Sequence, residues 1–154
     1  MNVNLEKLAS EIGLSEPGHE RVRLDFAYAC VTRIRHLLEE PQVIECLRRF
    51  GQYLDGTLDD ASFAHLQGEA ERLANQHQGS KSIDGCGHAA VSASYAVAKA
   101  INGKALQAAS YAAYAAVYAD SGYGAVADRE AFEPEFAWQT DTLRVIAAAN
   151  RQPA

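Results

Sequence analysis

Apolar residues recur at spacings of three and four along most of the chain, which is the repeat of a helix that buries one side. A short first helix is predicted for residues 4–12, where Gly13 would end it, and a longer second helix for residues 19–38. The buried stripe of the second helix is formed by Ala27, Cys30, Val31, Ile34, Leu37 and Leu38.

Turn-forming residues predict where the next two helices begin and end. Pro41 suits a first helical turn, because its missing N–H would have no partner there, and Gly56 would stop that helix. Thr57 and Asp60 form a variant capping box, a hydroxyl followed three residues later by a carboxylate, at the start of a fourth helix that runs to about Ala74. The predicted inward side chains are Ile44, Leu47, Phe50 and Leu54, then Phe63, Leu66, Ala70 and Leu73.

Alanine dominates the second half of the chain, with 14 alanines in the 31 residues from Ala89 to Ala119. Alanine is the best helix former, and Asn102-Gly103 divides this stretch into two helices, with Gly103 as a left-handed cap. Small alanine faces allow helix axes to approach closely, so this pair is expected at the centre of the bundle.

A turn at residues 120–124 is followed by a predicted short helix over 125–132 and by a last helix that begins at Pro134 and ends near Ala149. The core side chains predicted for the last helix are Phe136, Trp138, Leu143, Val145 and Ile146. The polar segment 75–84 is the best loop and the one plausible internal break. With no strand pattern of period two, the sequence predicts an all-α, single-domain bundle of about seven to eight helices.

Composition narrows the classes of function. A net charge of −6 argues against binding to nucleic acid or to an anionic membrane, since both need a basic surface. No segment has the roughly 20 apolar residues that a membrane-spanning helix needs, and the N-terminus lacks the layout of a signal peptide. Cys30, Cys46 and Cys86 are an odd number in apolar surroundings, which predicts free thiols in a reducing cytoplasm.

The motifs of common catalytic sites are absent from the sequence, so no catalytic, cofactor-binding or metal-ligating residue is predicted and the chain is not expected to be an enzyme. Gly85-Cys86-Gly87 lacks the Gly or Lys that would follow in a phosphate-binding loop. Cys86 and His88 lie two residues apart and would point in different directions on a helix. No two histidines have the spacing of a local metal pair.

Charge is most uneven between Asp120 and Asp141, where six acidic residues stand against Arg129 alone. A solvated face that keeps the protein in solution is one interpretation, and a surface that steers a basic partner is the other. Tyrosines at spacings of three and four (Tyr111, Tyr114 and Tyr118) suit either a core or a recognition surface. The candidate partner-binding residues are Tyr118, Asp120, Tyr123, Asp128, Glu130, Glu133 and Glu135.

Four stretches resemble the Imm-5-like family of bacterial immunity proteins. They are LDFAYACVTRIRHLL at 24–38, CLRRFGQYLDGTL at 46–58, GHAAVSASYAVAK at 87–99, and Trp138-Gln139 with Leu143-Arg144. The resemblance implies a helical domain over residues 21–150, preceded by an extension with a short helix over residues 1–20. It also implies a role: such proteins are encoded beside a toxin, bind it inside the producing cell and block it.

Three hypotheses follow. The leading one is a cytoplasmic immunity protein that neutralises a cognate antibacterial toxin, the product of an adjacent gene. The second is an enzyme or small-ligand binder with a pocket near Cys86 and His88. The third is a structural or regulatory domain that associates with itself, for instance as a homodimer.

Overall fold

The computed structural model describes residues 1–76, 86–121 and 128–150, and for residues 86, 87 and 121 it describes the backbone alone. Over these ranges the chain forms α-helices and no strand, which confirms the predicted all-α, single-domain bundle. Two short 3₁₀ turns, Pro17–His19 and Arg35–Leu37, lie before and after the second helix. The helices are α1 (Val3–Ile12), α2 (Glu20–Arg33), α3 (Pro41–Asp55), α4 (Asp60–Gln76), α5 (Cys86–Ile101), α6 (Ala105–Ser121) and α7 (Arg129–Ala149).

The alanine-rich helices α5 and α6 form the central hairpin, as their composition predicts. Gly103 joins them at φ 77°, the left-handed conformation that glycine adopts without steric cost. Helix α5 packs on α2, α3, α4 and α6, whereas α6 packs on α2, α5 and α7. The alanines at their contact are almost completely buried, so the two helix axes can approach closely.

One core joins the helices. Five of its six largest fully buried side chains come from α2, α3, α4, α5 and α7, and the sixth, Ile34, directly follows α2. The five are Phe26, Phe50, Leu66, Ile101 and Leu143. Aromatic rings extend it at one end, where Tyr28 meets Phe50 edge-on and Tyr53 stacks on Phe63 with ring centroids 3.8 Å apart. The four inward positions predicted for α4 are all buried, which confirms that stripe.

Several predicted boundaries are confirmed and three are wrong. Helices α1 and α3 end at left-handed Gly13 and Gly56, and Pro41 occupies the first turn of α3. Helix α2 ends at Arg33 rather than at residue 38, because the chain leaves the helical conformation at Ile34 (φ −110°, ψ 14°) and continues into the second 3₁₀ turn.

The predicted capping box at Thr57 is also wrong. The Thr57 hydroxyl donates to Asp55 Oδ1 at 2.7 Å, so this residue closes the end of α3. Asp59 caps α4 instead, since its Oδ1 accepts the Ser62 N–H at 2.7 Å. This hydrogen bond lowers the pKa of the Asp59 carboxyl below its usual value, because it stabilises the ionised form.

The last helix begins earlier than predicted. Residues 125–127 lie outside the described residues, and residues 129–132 belong to α7 rather than to a separate helix. Asp128 caps α7 by accepting the Glu130 N–H at 3.0 Å, and Pro134 lies inside the helix instead of starting it. A strong cap upstream therefore outweighs the start signal of a proline. Two predicted core positions, Ile44 on α3 and Val145 on α7, are exposed.

Helix α1 packs against α7 and buries Leu5 and Ala9 in the common core. Its N-cap, Asn2, accepts the Leu5 N–H at 3.1 Å through its side-chain oxygen. The amide nitrogen of the same side chain donates to the carbonyl of Phe136 at 3.2 Å and to Oε1 of Gln139 at 3.4 Å. One asparagine thus both starts α1 and links it to the middle of α7.

Candidate functional site

A groove with a volume of about 910 Å³ lies between α1, α6 and α7. We call it the α1–α6–α7 groove. Helix α6 contributes Leu106, Ser110 and Tyr114, which are spaced four residues apart and share one face. The lining side chains from the other two helices include Val3, Glu6, Lys7 and Glu11 on α1 and Arg129, Phe132, Glu133, Phe136, Ala137, Gln139, Asp141 and Arg144 on α7.

Exposed apolar side chains concentrate in this groove. Among the described residues, six large apolar side chains are exposed, and four of them line it: Met1, Val3, Leu106 and Tyr114. The Tyr114 ring is 39% exposed and meets Phe132 edge-on at 5.2 Å, and Phe132 contacts Phe136 at 5.3 Å. A half-exposed aromatic that rests on a packed aromatic base is a suitable anchor for a protein partner, because its ring is already held in place.

The polar floor of the groove is satisfied by the protein itself. Gln139 is only 2% exposed, and its Nε2 donates to the carbonyl of Ala109 at 2.8 Å while its Oε1 accepts from Asn2. The Thr140 hydroxyl donates to the carbonyl of Phe136 at 3.0 Å. With these donors occupied, the floor offers few groups that could orient a small polar ligand. A broad contact surface suits the groove better.

The three helices of the groove carry most of the negative charge. With the cap of α7 they contain eight acidic and three basic residues, a net charge of −5 out of −6 for the whole chain. We call their exposed surface the acidic face. The acidic residues are Glu6, Glu11, Asp120, Asp128, Glu130, Glu133, Glu135 and Asp141, and the basic ones are Lys7, Arg129 and Arg144.

Four of the predicted partner-binding residues are exposed on this face. Asp120 lies near the end of α6, Asp128 caps α7, and Glu130 and Glu133 follow on its first two turns. Glu133 also lines the groove. Asp120, Glu130 and Glu133 are exposed and make no ion pair with any residue in the described ranges.

The other three candidates differ. Glu135 is held inside the molecule: Arg33 Nε lies 2.9 Å from its Oε2 and Arg33 Nη2 lies 3.3 Å from its Oε1, and the Glu135 side chain is 17% exposed. The Arg33 guanidinium also lies 4.4 Å from the centroid of Trp138. Tyr118 is partly buried and stacks on His88 with centroids 5.5 Å apart. Tyr123 lies outside the described residues.

Two of the cysteines are buried and protonated at neutral pH. Burial raises the pKa of the Cys46 thiol to about 11, and burial together with the nearby Glu135 carboxylate raises that of Cys30 far above its usual range. Neither side chain supplies a thiolate nucleophile. The side chain of Cys86 lies outside the described residues. The prediction that the Cys86 and His88 side chains point in different directions therefore stays a prediction. In the three described ranges, no group of three or more His, Cys, Asp or Glu side chains could hold a metal ion.

Helices long and apolar enough to cross a bilayer are absent from the described part of the chain. No family model, curated protein or solved structure matches the sequence.

Sequence reasoning missed the apolar half of this site. Leu106 and Phe132 look like ordinary core residues in a helical repeat, and Val3 lies just before the predicted first helix. In the structure Val3 and Leu106 are exposed. A weak signal existed on α6, where Leu106 and Tyr114 lie eight residues apart on a face that also contains the polar Ser110.

Proposed function

We propose that this chain is an immunity protein that binds a cognate antibacterial toxin in the cytoplasm of the producing cell and blocks it. The observation that supports this most is that exposed apolar side chains and acidic residues both concentrate on the same three helices. Four of the six exposed large apolar side chains lie in the groove, and the helices that line it carry a net charge of −5. Exposed apolar surface beside charged side chains is typical of a protein-binding site.

The acidic side chains and the exposed apolar side chains have different physical roles in such a complex. Exposed carboxylates that make no ion pair within the described ranges, such as Glu130 and Glu133, attract a basic partner over several ångströms and increase the rate of association. Tyr114 and Leu106 supply the apolar area that becomes buried on contact and slows dissociation. The resemblance to the Imm-5-like family supports a toxin as the partner.

Self-association through the same groove is less favourable. Two copies that met through this surface would bring together two sets of helices that each carry a net charge of −5, and like charges repel across an interface. A basic partner avoids this repulsion. The electrostatic balance therefore favours a complex with a different protein over a homodimer.

The test is co-expression with the product of the adjacent gene. We expect this chain to restore growth to cells that express that product and to co-purify with it. Loss of growth despite stable expression of both proteins would contradict the proposed function.

Charge reversal then tests the acidic face. The double variant E130K/E133K should slow association with the toxin by about tenfold at low ionic strength, and added salt should reduce the difference. E71K is the control for a charge reversal elsewhere on the surface, because Glu71 is exposed on α4, which packs on α3 and α5. Stopped-flow measurement of the association rate distinguishes the two. An equal effect of both substitutions would contradict steering by this face.

A further inference from the structure

The exposed stripe of α6 alternates large and small side chains, as a helix-packing surface does. Leu106 and Tyr114 stand at its two ends, and the small Ser110 lies between them, one turn from each. Across the groove, the exposed stripe of α7 places the small Ala137 between Glu133 and Asp141. A depression between larger side chains is the shape that receives a protruding side chain of another helix.

The backbone of the groove walls favours a helix over an extended peptide as the occupant of the groove. All three walls are α-helices, whose central N–H and C=O groups already pair within each helix. An extended segment buried there would lose water from its own N–H and C=O groups and find few backbone partners. A helix satisfies its own backbone and can bury one side without this cost.

The dimensions and charges define the helix further. The lining residues of α7 extend from Arg129 to Arg144, which at about 1.5 Å per residue corresponds to roughly 22 Å, or about four turns. Glu11 on α1 and Glu133 on α7 both line the groove, are exposed and make no ion pair in the described part of the chain. The charged lining side chains are Glu6, Glu11, Glu133, Asp141, Lys7, Arg129 and Arg144. Arg144 pairs with Asp141, so three glutamates remain against Lys7 and Arg129. Basic residues of an occupant therefore belong opposite the glutamates and away from these two cations.

We propose that the α1–α6–α7 groove receives an amphipathic, basic helix of about four turns from the partner protein. Its apolar side covers Leu106, Ser110 and Tyr114, and its Lys or Arg side chains flank that side and meet Glu11 and Glu133. This inference rests on the proposed function for the origin of the helix. Its structural part concerns the groove alone and is tested separately.

The probe is a synthetic, end-capped peptide of 15 residues with leucines along one helical side and lysines beside them. We expect saturable binding to the full chain, measured by fluorescence anisotropy of the labelled peptide. A peptide of the same composition with a central proline, and one with glutamates in place of the lysines, should each bind at least about tenfold more weakly. Equal binding of all three peptides, or no binding at millimolar concentration, overturns the proposal.

Two substitutions locate the peptide. Leu106→Glu puts a charge where the apolar side would rest, and Ser110→Trp fills the depression; both positions are exposed, so the fold tolerates them. Each should weaken binding by about tenfold or more, whereas Ile44→Glu, at an exposed apolar residue on α3, should change nothing. Equal effects of Leu106→Glu and Ile44→Glu, or self-association of the chain that Leu106→Glu abolishes, overturn the assignment.

The same variants separate this inference from the proposed function. If the chain binds and neutralises the toxin but Leu106→Glu and Ser110→Trp do so equally well, the helix in the groove is wrong and the immunity role stands. If the basic peptide occupies the groove but the adjacent gene product neither binds nor loses its toxicity, the immunity role is wrong and the groove remains a helix-binding site.

Discussion

At the scale of single residues, Gly51 on α3 shows how closely two helices approach. A Cβ added there would lie 2.7 Å from the Tyr28 hydroxyl oxygen and 3.3 Å from its ring carbon Cζ. Tyr28 cannot move freely, because its ring meets Phe50 edge-on at 5.3 Å. The absence of a side chain at position 51 is therefore what lets α2 and α3 pack with this tyrosine between them.

Gly51→Ala and Gly68→Ala form a matched pair. Both glycines lie inside helices, so alanine should gain about 1 kcal/mol of helix propensity at either position. Nothing lies within 4 Å of the Cβ at position 68, whereas at position 51 the clash with Tyr28 should cost about 1–3 kcal/mol. Urea unfolding should rank G68A above the original chain and G51A below G68A. Adding Tyr28→Phe to G51A should recover part of the loss, and no recovery would point to another cause.

The two buried thiols make a prediction about alkaline pH. Because the folded-state pKa values of Cys30 and Cys46 lie above the ordinary value of 9.0, only the unfolded chain ionises these thiols as the pH passes 9. Their contribution to stability is thus complete below pH 9 and decreases as the pH rises, for Cys46 until about pH 11. Each thiol should cost roughly 1 kcal/mol between pH 9 and 10.

Comparison with a double variant isolates this effect from other titrating groups. C30A/C46A will be less stable at pH 8, since it leaves two small cavities, but its free energy of unfolding should fall less steeply from pH 8.5 to 10. Chemical denaturation at several pH values gives both slopes. Parallel curves for the two proteins would show that the thiols ionise in the folded state.

At the scale of elements, α7 tolerates a proline in its second turn. Pro134 cannot donate to the carbonyl of Glu130 four residues earlier, and its ring crowds that carbonyl. Glu130 is exposed, so water can satisfy the carbonyl. The Asp128 cap and the burial of Phe132 hold the first turn in place despite the lost hydrogen bond.

Pro134→Ala should therefore stabilise the protein, by about 1–3 kcal/mol, because it restores the missing hydrogen bond. Pro41→Ala is the control: Pro41 lies in the first turn of α3, where no N–H is needed, and its replacement should be neutral or slightly destabilising. Thermal unfolding of the two variants should shift in different directions. A destabilised P134A would mean that the proline ring itself packs usefully.

Local signals in the sequence predicted the elements well where a single residue decides the conformation. Gly13, Gly56 and Gly103 each end a helix as predicted, and all three have the left-handed conformation, which few other residues adopt at low energetic cost. Prediction failed where two local signals compete. Thr57 and Asp59 can both cap a helix, and the sequence alone does not say which of the two side chains caps the start of α4.

At the scale of the whole molecule, packing of the bundle depends on the small side chains of its central hairpin, α5 and α6. Helix α6 lies against α2, α5 and α7, so an enlarged side chain on its buried side has no direction in which to move. Ala112→Leu, at a 2% exposed position, should destabilise the protein by about 1–3 kcal/mol. Ala119→Leu, at an exposed position of the same helix, should change the unfolding midpoint little. Similar losses at both sites would implicate helix propensity instead of packing.

Sequence reasoning could not predict the contacts between helices that are distant in the chain. The acidic segment was visible in the sequence, but the ion pair that withdraws Glu135 from it joins residues 102 positions apart. The exposure of Val3 and Leu106 likewise depends on how α1 docks against α7. The charge of the candidate site was therefore predictable, and its shape was not.

The hydrogen bond between Asn2 and Gln139 determines how long α1 must wait for its packing partner during synthesis. The two residues are separated by 137 positions, so at about 5–20 residues per second the ribosome needs roughly 7–27 s to supply the partner of α1. A helix of ten residues is too short to be stable alone, so until then the segment around Leu5 and Ala9 stays unfolded with its apolar side uncovered. Helix α1 is thus among the last to acquire its native contacts, and during synthesis its apolar side stays accessible to chaperones and proteases.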